Sequence, residues 1–156
     1  VLIGNYTYSQ SSISADGSQT IGPDLQPVAS NLLFEDGAPL AGQSDHLANV
    51  QVGIEDTDSL SQATILLSYA SERVTNRGPI QGLLRQPDII EQPGLRVDFV
   101  LRQEARIFGA RDEIKFEARN ILGRVAEEFQ AFEGNRIDIN SYRLGQSFSA
   151  GVTLRF

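Results

Sequence analysis

The chain has 156 residues, with 13 basic and 20 acidic side chains for a formal charge of −7, and contains no Cys, Met or Trp. Without cysteine there is no disulfide scaffold, thiolate metal centre or cysteine nucleophile. A pI near 4.6 leaves no clustered Lys and Arg to collect phosphate, so nucleic acid is not an expected partner.

Taken in chain order, six segments alternate apolar and polar residues, the two-residue period of a strand with one greasy face. In the first, Leu2, Gly4, Tyr6 and Tyr8 oppose Asn5, Thr7 and Ser9. In the second, Ala48, Val50, Val52 and Ile54 oppose Asn49, Gln51 and Glu55. The third sets Ala63, Ile65, Leu67 and Tyr69 against Gln62, Thr64, Ser68 and Glu72, and the fourth sets Leu95, Val97, Phe99 and Leu101 against Arg96, Asp98, Arg102 and Glu104. The fifth alternates Ile114, Phe116 and Ala118 with Glu113, Lys115, Glu117 and Arg119. The last is the clearest: Tyr142, Leu144, Phe148, Ala150, Val152, Leu154 and Phe156 oppose Arg143, Ser147, Ser149, Thr153 and Arg155. It is read as one strand.

The connections alternate in length. Long stretches follow the first, third and fifth segments, and the short turns Asp56-Thr57-Asp58-Ser59 and Phe108-Gly109-Ala110-Arg111 follow the second and fourth. All six prolines (Pro23, Pro27, Pro39, Pro79, Pro87 and Pro93) fall in the first two long connections, where a residue that cannot donate to a ladder belongs. Residues 9–20 are polar and of low complexity, and are expected to form a mobile loop. The chain opens on Val1-Leu2-Ile3 inside an alternating segment, as a fragment would.

Two architectures use strands with one apolar face: a soluble sandwich that buries it, and a membrane barrel that shows it to lipid. Short turns on one end and long loops on the other match the barrel, whose periplasmic turns are short and extracellular loops long. Apolar runs such as Ile65-Leu66-Leu67 are far below the roughly 20 residues of a membrane helix, so strands would do the crossing. The four tyrosines, Tyr6, Tyr8, Tyr69 and Tyr142, fall toward the long-loop ends of their segments, where an interfacial belt would sit. Six strands are too few to close in a membrane, where about eight is the usual minimum, and an open edge in lipid strands its backbone groups. The expectation is therefore a piece of a larger all-β, antiparallel up-and-down transmembrane barrel.

Several stretches resemble one family. Leu40-Ala41-Gly42-Gln43-Ser44-Asp45-His46-Leu47-Ala48-Asn49, Tyr69 with Ala70-Ser71-Glu72-Arg73, Ala118-Arg119-Asn120-Ile121-Leu122-Gly123, and the ending from Arg143 to Phe156 are similar, in that order, to the late barrel of TonB-dependent outer-membrane receptors. The resemblance implies that residues 1–156 are the C-terminal part of a 22-stranded barrel in the outer membrane of a Gram-negative bacterium, with the plug domain and earlier strands absent. It implies import of a scarce nutrient such as an iron–siderophore complex, energised by TonB acting through the plug. Implied partners are outer-membrane lipid and lipopolysaccharide, the barrel-assembly machinery, the plug and a small nutrient ligand. Phe156, with Leu154 and Val152, resembles the terminal signal read by that machinery; the plainer reading makes Phe156 the last lipid-facing residue.

Other residues are read conservatively. The charges of the fourth and fifth segments suit a hydrated wall with cross-strand ion pairs, each worth about 0.2–1 kcal/mol, rather than a transport path. His46 beside Asp45 is loop polarity, since a metal or catalytic role needs further ligands. Glu55, Asp56 and Asp58 lack the glycine and spacing of a calcium loop. No catalytic, metal or cofactor residue is assigned. Leu32-Leu33-Phe34 and Ile80-Gln81-Gly82-Leu83-Leu84-Arg85 are apolar for loops and suit either ligand contact or strand extension, so no ligand residue is named. The competing functions are an outer-membrane barrel enzyme, with His46 beside a nucleophile and a carboxylate, and a soluble β-sandwich binding module.

Overall fold

The computed structural model describes residues 1–22, 24–81, 84–107 and 110–154, with the backbone alone described at 81, 84, 106, 107, 110 and 111. In chain order, β1 (Leu2–Tyr8) leads to β2 (Gln19–Ile21), β3 (Pro27–Ala29) and the short helix α1 (Ser30–Leu33). Next come β4 (His46–Asp56), β5 (Ser61–Ala70), β6 (Arg73–Asn76), β7 (Ile80–Gln81), β8 (Leu84–Arg85) and β9 (Ile89–Glu91). The chain continues through β10 (Gly94–Ile107), β11 (Ala110–Arg119), β12 (Val125–Phe132), β13 (Asn135–Arg143) and β14 (Ser147–Thr153). The molecule is all-β and antiparallel.

The main sheet has six strands in the order β1-β4-β5-β10-β11-β14, each antiparallel to its neighbour. These are the six alternating segments, and their registers bring every apolar set onto one face. Tyr6 lies opposite Ala48, Ala48 opposite Tyr69 and Tyr69 opposite Leu95. A second row runs Leu2, Val52, Ile65, Phe99, Ala118, Phe148. Because side chains alternate sides, a slip of one residue anywhere would throw a whole apolar set to the wrong face. The second row also joins the first residue of β1 to the second residue of β14, so the strands step steadily along one another, as tilted strands do.

Among the described residues no second layer covers this face. Among the described residues the buried apolar side chains are Ala15, Ala38, Ala118 and Phe129, whereas Ile54 is 74% exposed and Phe148 62%. The accessible surface is 11005 Å²; a compact folded monomer of this mass would show about 7,800 Å². The excess is what a single layer costs.

The long connections are more ordered than the alternation alone suggests. β6, β9, β12 and β13 form a second, four-stranded sheet in the order β13-β12-β9-β6. It continues the first end to end: β5 passes into β6, β9 into β10, β11 into β12, and β13 into β14. The first connection is also tied down. Ile13 N–H donates to Ala38 O and Gly37 N–H to Ile13 O, both at 2.8 Å, and Gly42 N–H reaches Val74 O at 2.7 Å. Residues 9–20, expected as a mobile loop, thus run along a hydrogen-bonded arm that ends in the β2-β3 hairpin.

Two boundaries move. The segment from Tyr142 to Phe156, read as one strand, divides between β13 and β14, because Gly145 sits at φ 72, a left-handed conformation that takes the chain out of the pleat. Tyr142 therefore belongs to the second sheet, opposite Ala126, while Tyr6, Tyr8 and Tyr69 stand at the long-connection end of the first. The turn expected at 108–111 is shorter, since Ile107 already pairs with Ala110; Phe108 and Gly109 lie outside the described residues.

β12 and β13 are joined by Glu133 (φ 48) and Gly134 (φ 82), the two positive-φ residues of a type I′ hairpin. A Cβ on Gly134 would meet nothing within 4 Å, so a substitution there acts through backbone conformation alone. Gly134→Ala is expected to lower the opening free energy of the β12–β13 hairpin by about 1 kcal/mol. Hydrogen exchange at Phe132 and Asn135 reads it; an unchanged value would mean that another turn serves equally well.

Candidate functional site

The polar face of the main sheet carries the charges singled out in the sequence. Among the described residues, ion pairs run along single strands: Arg96 donates to Asp98 at 3.1 and 2.9 Å, Lys115 contacts Glu117, and Arg119 reaches Glu117 at 3.1 Å. Directly across the β10–β11 ladder, Arg102 faces Lys115 and Glu104 faces Glu113. Residues i and i+2 share a face, so a long Arg or Lys can reach a carboxylate along its own strand. Like charges opposite one another weaken a ladder unless water screens them. Such a face belongs against water.

At the short-turn end, Asp56 closes the turn between β4 and β5. Its carboxylate accepts from Asp58 N–H at 3.0 Å and Ser59 Oγ–H at 2.7 Å, which occupies both oxygens. Among the described residues no group of three His, Asp or Glu side chains is placed to hold a metal ion. An open cavity of about 280 Å³ lies at this end, lined by Glu55, Gln62, Arg102, Glu104 and Glu113 among others.

At the long-connection end, His46 packs against two tyrosines. Its Nδ1 shares a 2.7 Å hydrogen bond with Tyr6 Oη, and its ring centroid is 5.2 Å from that of Tyr8. The ring thus sits in aromatic company, and Asp45 beside it in sequence is exposed. This arrangement serves as an aromatic belt with polar tips more naturally than as an acid–base centre.

Where β11 gives way to β12, a compact polar knot forms that only part of the sequence signalled. Asn120 adopts φ 53 and is buried, with its N–H on Asp98 Oδ1 at 2.7 Å and its Nδ2 on Gly145 O at 2.7 Å. Its Oδ1 accepts Arg124 N–H at 3.0 Å, and the Arg124 guanidinium donates to Pro93 O at 2.9 Å and Gln92 O at 2.7 Å. Asn120 and Gly123 stand in a stretch already noted for its resemblance; nothing in the local pattern marks Arg124. Beside the knot an open recess of about 370 Å³ is walled by Leu47, Tyr69, Tyr142 and Leu144, with Arg96 and Arg124 at its polar side. It is the more apolar of the two cavities.

The second sheet is stitched by charge as well as by its ladders. Arg73 pairs with Glu91 across β6 and β9, Arg77 with Asp88, and Arg136 with Glu127 and Asp138 while its guanidinium lies 4.0 Å above the Phe129 ring. Of the apolar loop stretches, Leu32 and Phe34 remain exposed at the end of α1, and Ile80–Gln81 pairs with Leu84–Arg85; Gly82 and Leu83 lie outside the described residues.

Of the terminal-signal residues, Val152 lies in β14 opposite Ile114, on the apolar face, and Leu154 follows the strand, half exposed. Phe156 lies outside the described residues. The outer edge of β14 has no ladder partner among the described residues, and neither has that of β1. The chain matches no family model, no curated protein and no solved structure.

One titration follows from the first connection. Asp16 Oδ1 accepts Ser18 N–H at 2.9 Å, and that bond, followed by the Ser18 hydroxyl, holds its carboxyl below the usual Asp value. A carboxyl with a lowered folded pKa contributes above its unfolded value and loses that contribution as pH falls through the folded one. The Ser18 amide is therefore expected to lose exchange protection on acidification below pH 4, and Asp16→Asn to abolish that pH dependence. Protection that is flat with pH in the unsubstituted chain would contradict the assignment.

Proposed function

We propose that the chain is a wall segment of an outer-membrane β-barrel of the TonB-dependent receptor kind. In this reading it supplies six lipid-facing strands, their outer extensions and the C-terminal assembly strand of an importer for a scarce nutrient such as an iron–siderophore complex. One observation carries the reading: six period-two strands place their apolar residues in register on one face of a single uncovered layer. Soluble monomers rarely expose contiguous apolar patches above a few hundred Å², whereas a bilayer requires such a surface.

Three further features support it. The steady stagger from Leu2 to Phe148 suits tilted barrel strands. Turns gather at one end and long connections at the other, the polarity of strands threaded through a membrane from one side. The edges of β1 and β14, without ladder partners among the described residues, call for more strands, because an open edge in hydrocarbon costs several kcal/mol per unsatisfied group. On this reading the charged face lines a hydrated interior and meets the plug, and the outer sheet stands at the mouth where ligand enters. TonB, the assembly machinery and lipopolysaccharide are partners of the complete receptor.

The test is assembly. The isolated chain is expected to precipitate from buffer and to stay dispersed and β-structured in detergent. In cells making the complete protein, Val152→Arg is expected to cut outer-membrane assembly while Thr153→Arg is tolerated, since a lipid-facing charge at mid-depth costs about 2–4 kcal/mol and a water-facing one little. A compact monomer in detergent-free buffer, or equal effects of the two substitutions, would overturn the reading.

A further inference from the structure

The two sheets meet where four strand paths break, at residues 71–72, 92–93, 120–124 and 144–146. Among the described residues no ladder joins the two sheets. At the breaks the backbone takes left-handed conformations at Gly94 (φ 67), Asn120 (φ 53), Gly123 (φ 63) and Gly145 (φ 72), so the outer sheet does not inherit its orientation from continuous pleated strands. Something else must set it.

Three of the four breaks converge on two side chains. Arg124 grips the β9–β10 break through Pro93 O and Gln92 O, and its own N–H is held by Asn120 Oδ1 within the β11–β12 break. Asn120 in turn grips the β13–β14 break through Gly145 O and anchors to the main sheet through Asp98. The guanidinium lies against Gly94, where a Cβ would come within 2.7 Å of Arg124 Cζ. That site requires glycine both for its backbone and for the space the guanidinium fills. The fourth break is held separately, with His46 N–H donating to Ser71 Oγ at 3.1 Å and Ser44 Oγ–H to Ser71 O at 2.8 Å.

We infer that Arg124 and Asn120 form a clasp that fixes the pose of the outer four-stranded sheet, making that sheet a hinged unit that opens when the clasp is released while the six-stranded sheet keeps its register. The planar fork is well matched to two acceptors: a pair of its N–H groups binds successive carbonyls at once, which a Lys ammonium on a flexible stem does less well. Nothing in the clasp requires lipid on the apolar face, so the hinge holds or fails independently of the membrane reading.

Hydrogen exchange on the full chain folded in detergent tests it, comparing the parent with Arg124→Ala, Arg124→Lys and Gly94→Ala. Loss of two hydrogen bonds from a charged donor is expected to speed exchange in β9, β12 and β13 by about tenfold or more in Arg124→Ala. Gly94→Ala should match it, Arg124→Lys should fall between, and the amides of β4, β5 and β11 should be unchanged. Arg136→Ala, which removes two ion pairs inside the outer sheet, should loosen β12 and β13 without altering β9. Unchanged protection of the outer sheet in Arg124→Ala would overturn the clasp. So would equal loosening of both sheets, or failure of both Arg124 variants to fold, since either would make Arg124 a general stability residue.

Discussion

The main sheet depends on one requirement: a broad apolar surface, built from every other residue of six strands, must be kept in a single register and covered by something outside the protein layer. The ladders meet the first half. Each strand is locked to its neighbours by backbone hydrogen bonds, and rows such as Gly4, Val50, Leu67 and Val97 keep a continuous greasy stripe across strands far apart in sequence. A globular core is not what organises the chain, since three of the four buried apolar residues among those described are alanines. What organises it is agreement between alternation and register.

The two faces divide the chemistry accordingly. On the charged face, Arg96 with Asp98 and Lys115 and Arg119 with Glu117 pair along single strands, as charged groups on a hydrated face do. The apolar face ends at Tyr6, Tyr8, His46 and Tyr69, side chains with ring bodies and polar tips suited to the boundary between hydrocarbon and water. The second sheet lies past those rings, joined by the Asn120–Arg124 knot rather than by continuing ladders. Left-handed residues at Gly94, Asn120, Gly123 and Gly145 mark where the two sheets part.

The wall is legible in the sequence because its signal is local: a period of two sustained over many residues identifies a strand and says which residues share a face. All six segments of the main sheet emerge this way, with their facing. The outer sheet does not. Arg73–Asn76 and Ile89–Glu91 are too short to establish a period, and their partners lie across connections that only the folded chain brings together. β13 does carry a sign, Ile137 and Ile139 alternating with Arg136, Asp138 and Asn140 behind the Glu133-Gly134 turn, which polarity and the pull of the terminal segment obscure. Gly145 reads as an ordinary member of a strand because φ is not written in the sequence, and Arg124 carries no mark because its role is set by carbonyls more than thirty positions away in the chain.

Because the chain contains no cysteine, single cysteines can be placed along β5 from Gln62 to Tyr69 and the protein reconstituted in phospholipid vesicles. A water-soluble thiol reagent is expected to label positions 62, 66 and 68 and to spare 63, 65, 67 and 69. Uniform labelling of both sets, or sparing of the even positions instead, would contradict the claim that lipid covers the apolar face.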